Sequence, residues 1–94
     1  MKSSIKVQSM YSSNGNQVPN QFIITDGMTD VFQSYETVIA SRCLVTGIVS
    51  VCVRALEYSP TTLKYLKIFL GTHASKKELS KMFLENPKYV VVSD

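Results

Sequence analysis

Ninety-four residues, 45% hydrophobic and 18% charged, are enough for one globular domain with a modest core and too apolar for a disordered chain. The net charge of +3 permits contact with nucleic acid without requiring it, and no apolar run approaches the roughly 20 residues of a membrane helix. Met1-Lys2-Ser3-Ser4-Ile5 has no apolar core of a signal peptide, so the chain is expected to stay in the cytoplasm, with Cys43 and Cys52 as buried, reduced thiols.

Ile5, Val7, Ser9 and Tyr11 alternate with Lys6, Gln8 and Met10, which predicts a first strand. Ser12-Ser13-Asn14-Gly15-Asn16 is a turn in which Asn-Gly supplies positive φ angles. Gln21 to Thr25 reads as a second strand, Asp26-Gly27-Met28-Thr29 as a tight turn, and Val31 to Tyr35 as a third strand completing a hairpin. Thr37 to Val45 is apolar and β-branched, a fourth strand after a bulge or bend near Glu36. Thr46-Gly47 turns the chain into a fifth strand from Ile48 to Leu56. That strand is apolar on both sides and therefore expected to be central.

The densest local signals come next. Ser59 suits an N-cap and Pro60 the first helical position, where its missing N–H costs nothing. Leu63, Leu66 and Leu70 recur at helical steps up to Gly71, a good C-terminal stop, although Thr61-Thr62, Tyr65 and Ile68 would also suit a strand. Ser75 with Glu78 is a capping-box pattern. Leu79, Met82 and Phe83 form the apolar face of that second helix, and Asn86-Pro87 stops it. Tyr89 to Val92 reads as a short closing strand. The order predicts a single α+β domain over 1–94: a small antiparallel sheet of about five strands with two short helices on one face near the C-terminus.

Few residues point to chemistry. His73 is the sole histidine, placed where a solvated loop histidine is the plain reading, and it shares no metal-ligand spacing with the cysteines. A nucleophile needs a base beside it, and nothing local supplies one for Cys43 or Cys52. Asp26 and Asp30 flank one turn and are expected to cap it rather than hold a metal. Neither cofactor nor metal is expected, and the chain is not expected to be an enzyme. The basic residues are more informative. Lys64, Lys67, Lys76, Lys77 and Lys81 cluster in the last third, with Lys76 and Lys77 in the first turn of a helix, where positive charge opposes the dipole. They form either a solvated polar face or a contact for phosphates or an acidic protein surface. A helix-turn-helix that reads DNA bases is disfavoured, because no Arg, Asn or Gln opens the second helix. Tyr35 and Tyr58, near strand ends, are either half-buried sheet residues or anchors for a protein partner.

Three blocks taken together carry a family resemblance: Ser13-Asn14-Gly15-Asn16-Gln17-Val18-Pro19-Asn20-Gln21-Phe22-Ile23-Ile24, then Phe32-Gln33-Ser34-Tyr35, then Tyr58-Ser59 with Thr61-Thr62, Lys64-Tyr65 and Phe69-Leu70-Gly71. In this order the set resembles a family of small proteins encoded by bacteriophages and mobile elements, a domain of unknown function. The segment from Ser41 to Arg54 is longer and more apolar than that resemblance leads one to expect. The resemblance implies a phage-encoded accessory protein in the cytoplasm of an infected bacterium, with no catalytic residues to carry over. It would bind and inhibit a host protein or ribonucleoprotein, most concretely a defence complex of the CRISPR or restriction type. The alternative is a nucleic-acid-binding accessory protein using its lysine face. Tyr35, Tyr58, Lys64, Lys67, Lys76, Lys77 and Lys81 are the expected partner-binding residues. No membrane partner is expected.

Overall fold

The computed structural model describes residues 5–12 and 14–92, and within them the chain is an α+β fold. In chain order come β1 (Lys6–Tyr11), β2 (Gln17–Thr25), β3 (Thr29–Ser34), β4 (Thr37–Cys43), β5 (Val49–Cys52), α1 (Pro60–Leu70), α2 (Lys76–Glu85) and β6 (Tyr89–Val92). The strands form one sheet in sequence order. The first four neighbour pairs are antiparallel, but β6 lies parallel to β5. The expected all-antiparallel sheet of about five strands is therefore a mixed sheet of six. The reason is topological: α1 and α2 carry the chain back across the sheet, so the strand after them starts at the same end as β5.

Local chemistry explains most boundaries. Ser12 and Gly15 close the first turn, with Ser12 N–H on the Asn16 carbonyl and Gly15 N–H on the Ser12 carbonyl, both 2.9 Å; Ser13 lies outside the described residues, as does the Met1–Ser4 stretch. The Asp26 carboxylate accepts from the N–H groups of Met28 and Thr29 at 2.8 and 2.9 Å and so builds the β2–β3 turn. The expected hairpin follows, with Phe22 opposite Gln33 and Ile24 opposite Val31. β3 stops one residue early because Tyr35 takes a left-handed conformation, φ 56°, and gives its N–H to the Asn20 carbonyl. The bend expected near Glu36 is the two-residue turn Tyr35-Glu36 between β3 and β4; a separate bulge lies inside β4, where Phe32 faces Ala40 while Gln33 faces Val38, leaving Ile39 as the extra residue.

Two strands are shorter than their β-branched residues suggest. β4 ends at Cys43, since the chain folds back at once and the Cys43 N–H bonds to the Ile48 carbonyl. β5 ends at Cys52, not Leu56, because successive turns over 53–58 bury Ala55. The stretch from Thr61 to Leu70 is helical. Ser59 Oγ accepts the Thr62 N–H at 3.2 Å, and Gly71 closes the helix at φ 73°. In α2 the capping box is complete, Glu78 N–H to Ser75 Oγ and Ser75 N–H to Glu78 Oε1, each 3.2 Å.

Both helices cover one face of the sheet. Phe32 stacks on Phe69 with ring centroids 5.8 Å apart, Phe83 meets Tyr89 at 5.2 Å, and the Ser34 and Thr62 hydroxyls are hydrogen-bonded at 2.9 Å. Leu66, Leu79, Val49 and Val51 fill the layer between. Arg42 lays its guanidinium over the Phe69 ring at 4.7 Å and donates to the Phe69 carbonyl, holding the last turn of α1 to the sheet. The expected packing of Leu79 and Phe83 on the sheet is borne out. No helix of the described residues is long and apolar enough to cross a membrane.

Candidate functional site

A groove of about 790 Å³ lies between α2, β6 and the turns after β5. Its construction follows from the phase of α2. Leu79 and Phe83 point into the core, which turns Lys77, Ser80, Lys81 and Leu84, at i, i+3, i+4 and i+7, onto a neighbouring stripe. That stripe forms one wall, with Lys76 at its head. Val53, Leu56 and Val91 supply an apolar floor, with Glu57 as the acidic member of the lining. Leu84 is 81% exposed, the most exposed large hydrophobic residue described.

The charges on this rim are only partly matched. Lys81 reaches the Glu85 carboxylate at 3.9 Å, an exposed i, i+4 pair and the single ion pair among the described residues. Among the described residues Lys76 and Lys77 have no carboxylate within ion-pair reach, and they stand in the first turn of α2, against its dipole. Glu78 does not relieve them. Its carboxyl is held below the usual glutamate range first by the Ser75 backbone N–H, then by the Ser75 side chain, with Lys67 adding a smaller attraction.

The other expected contact residues fall into two further places. Tyr35 and Tyr58 do come together, around a small cleft of about 270 Å³ at the start of α1 that also holds Ser34, Thr37, Ser59 and Thr62. Tyr35 is 57% exposed, whereas Tyr58 packs on the core and its hydroxyl lies 4.0 Å from Cys52 Sγ. Lys64 and Lys67 line a separate groove of about 610 Å³ along α1, beside Leu63, Ile68 and the exposed His73. The structure therefore divides the seven expected residues among three surfaces, and only Lys76, Lys77 and Lys81 share the groove beside α2 and β6.

Sequence reasoning missed the groove's floor. Val53 and Leu56 read as strand residues, and they reach the groove because β5 stops at Cys52. Leu84 carried a usable signal, since it falls outside the Leu79–Met82–Phe83 stripe yet is apolar. Among the described residues, no three of His, Cys, Asp and Glu converge as a metal-holding group. Cys52 is buried as expected, but Cys43 is only half-buried at the end of β4, where the Thr46 side chain is the main influence lowering its thiol below the ordinary range.

A mixed sheet with helices on one face, edged by an apolar, lysine-rimmed groove, defines a small α+β protein. The chain matches a family of unknown function (DUF8033) over residues 5–86 and belongs to that family. No curated protein and no solved structure matches it.

Proposed function

We propose that this protein is a non-enzymatic binding module whose lysine-rimmed groove holds a segment of a partner protein carrying both apolar and acidic side chains. The observation behind this reading is the groove's composition. Val53, Leu56, Val91 and Leu84 offer apolar surface to a partner, while Lys76 and Lys77 offer charge that no carboxylate pairs with among the described residues. Phosphates alone would have no use for the floor, which favours a protein over nucleic acid. In its most concrete form the partner is a host defence complex in a phage-infected bacterium. That form is supported by the resemblance of the Asn20-Gln21-Phe22-Ile23-Ile24 and Phe32-Gln33-Ser34-Tyr35 blocks to phage and mobile-element proteins, and by the small size of the chain.

Binding to purified defence complexes and to bare DNA and RNA, measured side by side at about 150 mM salt, tests the reading. A protein docking site gives one-to-one binding to a complex that Leu84→Ala and the Lys76, Lys77, Lys81→Ala triple variant each weaken by about tenfold or more. Micromolar binding to bare nucleic acid overturns it, with a salt slope of about −0.9 per phosphate contact on duplex that flattens in the triple variant. In that event the lysines are phosphate contacts, the reading their placement in the sequence also allows.

A further inference from the structure

The two faces of the sheet differ sharply in charge. Every charged residue within the described strands, Lys6, Asp30 and Arg42, falls in one cross-strand row with Thr25, Val49 and Tyr89. That row lies on the helix face, since Arg42 stacks on Phe69 of α1 and Tyr89 on Phe83 of α2. The opposite face carries Val7, Ile24, Val31, Ser41, Ser50 and Val90 in one row and Ser9, Phe22, Gln33 and Val38 in the next, with no charge in either. Neither helix reaches it. Val7 is 62% exposed and Val38 52%, while Phe22, Ile24 and Val31 are half-buried.

We infer that this uncharged face is the interface of a homodimer, in which two sheets pack face to face about a two-fold axis. The inference goes beyond the proposed groove function and does not depend on it. Charge selects a second copy as the occupant. A two-fold axis sets a patch against itself, so any charged residue near the axis meets its own like charge, and this face has none. The same absence leaves nothing to attract nucleic acid, an anionic lipid surface or a strongly charged protein. The α1 and α2 lysines all lie on the far side of the sheet, out of the contact. The polar members, Ser41, Ser50, Ser9 and Gln33, carry both donors and acceptors and can pair across the axis, which hydrocarbon would not allow.

The area is sufficient. Six strands about 4.8 Å apart and about five residues long span roughly 29 by 17 Å. Two pleated faces of that footprint bury about 1,000–1,400 Å² in all, at the lower end of specific interfaces, so a dimer of micromolar affinity is expected. Aligned sheets packed about 10 Å apart would cover Phe22, Ile24 and Val31 on both copies.

Sedimentation velocity and light scattering of the full chain across a concentration series provide the test. The expected result is one species whose mass rises from 10.5 kDa to twice that value with concentration. Ser41→Lys and Val38→Lys should each weaken the dimer by at least about tenfold, since each buries an unpaired charge at the contact. Both stand on the open face, away from the helix-side core, and should keep the circular dichroism of the parent; should one of them fail to fold, the other decides. The Lys76, Lys77, Lys81→Ala triple variant should dimerise unchanged. A monodisperse monomer at about 500 µM overturns the inference. So does a polydisperse series of aggregates, or a dimer that survives both lysine substitutions.

Discussion

Gln21 allows a sharp test of the core. It sits in β2 opposite Ser34, on the helix side of the sheet, with 0% of its surface exposed. Neither its Nε2 nor its Oε1 has a hydrogen-bond partner among the described residues. The nearest hydroxyl system is already engaged with itself: Ser34 with Thr62 at 2.9 Å, and Thr62 with Ser59 at 3.2 Å. Burying an amide without compensation costs roughly 1–3 kcal/mol in proteins, and an apolar group of the same shape avoids that cost. Met is unbranched and of similar length, so Gln21→Met should add little strain. The expected gain is about 1–2 kcal/mol. In a domain of this size each kcal/mol moves Tm by about 4–8 °C, so melting should rise by about 4–16 °C. Urea unfolding at constant m separates this from a change in the denatured state. A loss of about 1 kcal/mol or more in Gln21→Met would show that the amide is satisfied in solution and would refute the reasoning.

Phe83→Ala removes a ring that is nearly buried against Tyr89, and should cost about 3–5 kcal/mol by chemical denaturation, most of the stability of so small a domain. Acid should destabilise the fold through two exposed turn carboxylates, Asp26 held down chiefly by the Met28 N–H and Glu78 chiefly by the Ser75 N–H. Because both folded-state values lie below the unfolded ones, their contribution is present above about pH 4–5 and lost as pH falls through the folded values. Melting temperatures followed downward from about pH 5 should decline, and Asp26→Asn with Glu78→Gln should flatten that decline.

What the sequence revealed was local, and what it hid was not. The Ser75–Glu78 capping box, the Ser59–Pro60 start and the Asp26 turn each close within three residues, so neighbouring side chains suffice to read them. The direction of β6 is set by where two helices return the chain, and Tyr89 to Val92 alone holds no trace of it. The end of β5 was hidden because Val53 suits a strand and Arg54, Ala55 and Leu56 carry no turn signal, while the turns that follow Cys52 bury Ala55 in a core assembled from distant residues. The lysines were visible as a group, but their division among surfaces depends on helix phase and on residues far apart in the chain. Leu56 and Leu84 meet around one groove only in three dimensions. The uncharged sheet face was equally hidden, because it becomes visible only when the cross-strand register aligns Val7 with Ile24, Val31 and Ser41.

Lys76 and Lys77 set stability against binding. They occupy the first turn of α2, where each opposes the exposed N–H groups and the helix dipole by roughly 0.3–1 kcal/mol. Neither has an ion-pair partner among the described residues to offset that cost. Glu at these positions would interact favourably with the same dipole, so the double variant Lys76→Glu, Lys77→Glu should gain about 1–2 kcal/mol at low salt, and less as salt screens the effect. It would also turn the groove's cationic rim anionic beside Glu57. If the groove receives an acidic segment, the more stable protein should bind its partner far more weakly, by about a hundredfold or more, because attraction at two positions becomes repulsion. The neutral pair Lys76→Gln, Lys77→Gln should fall between in both respects. Denaturation and binding measured on the same three proteins therefore move in opposite directions. A parallel loss of stability and binding would place the two lysines in the folding of α2 and remove them from the site. A gain in stability with binding intact would leave Leu84 and the floor as the contact, and confine the lysines to a solvated face.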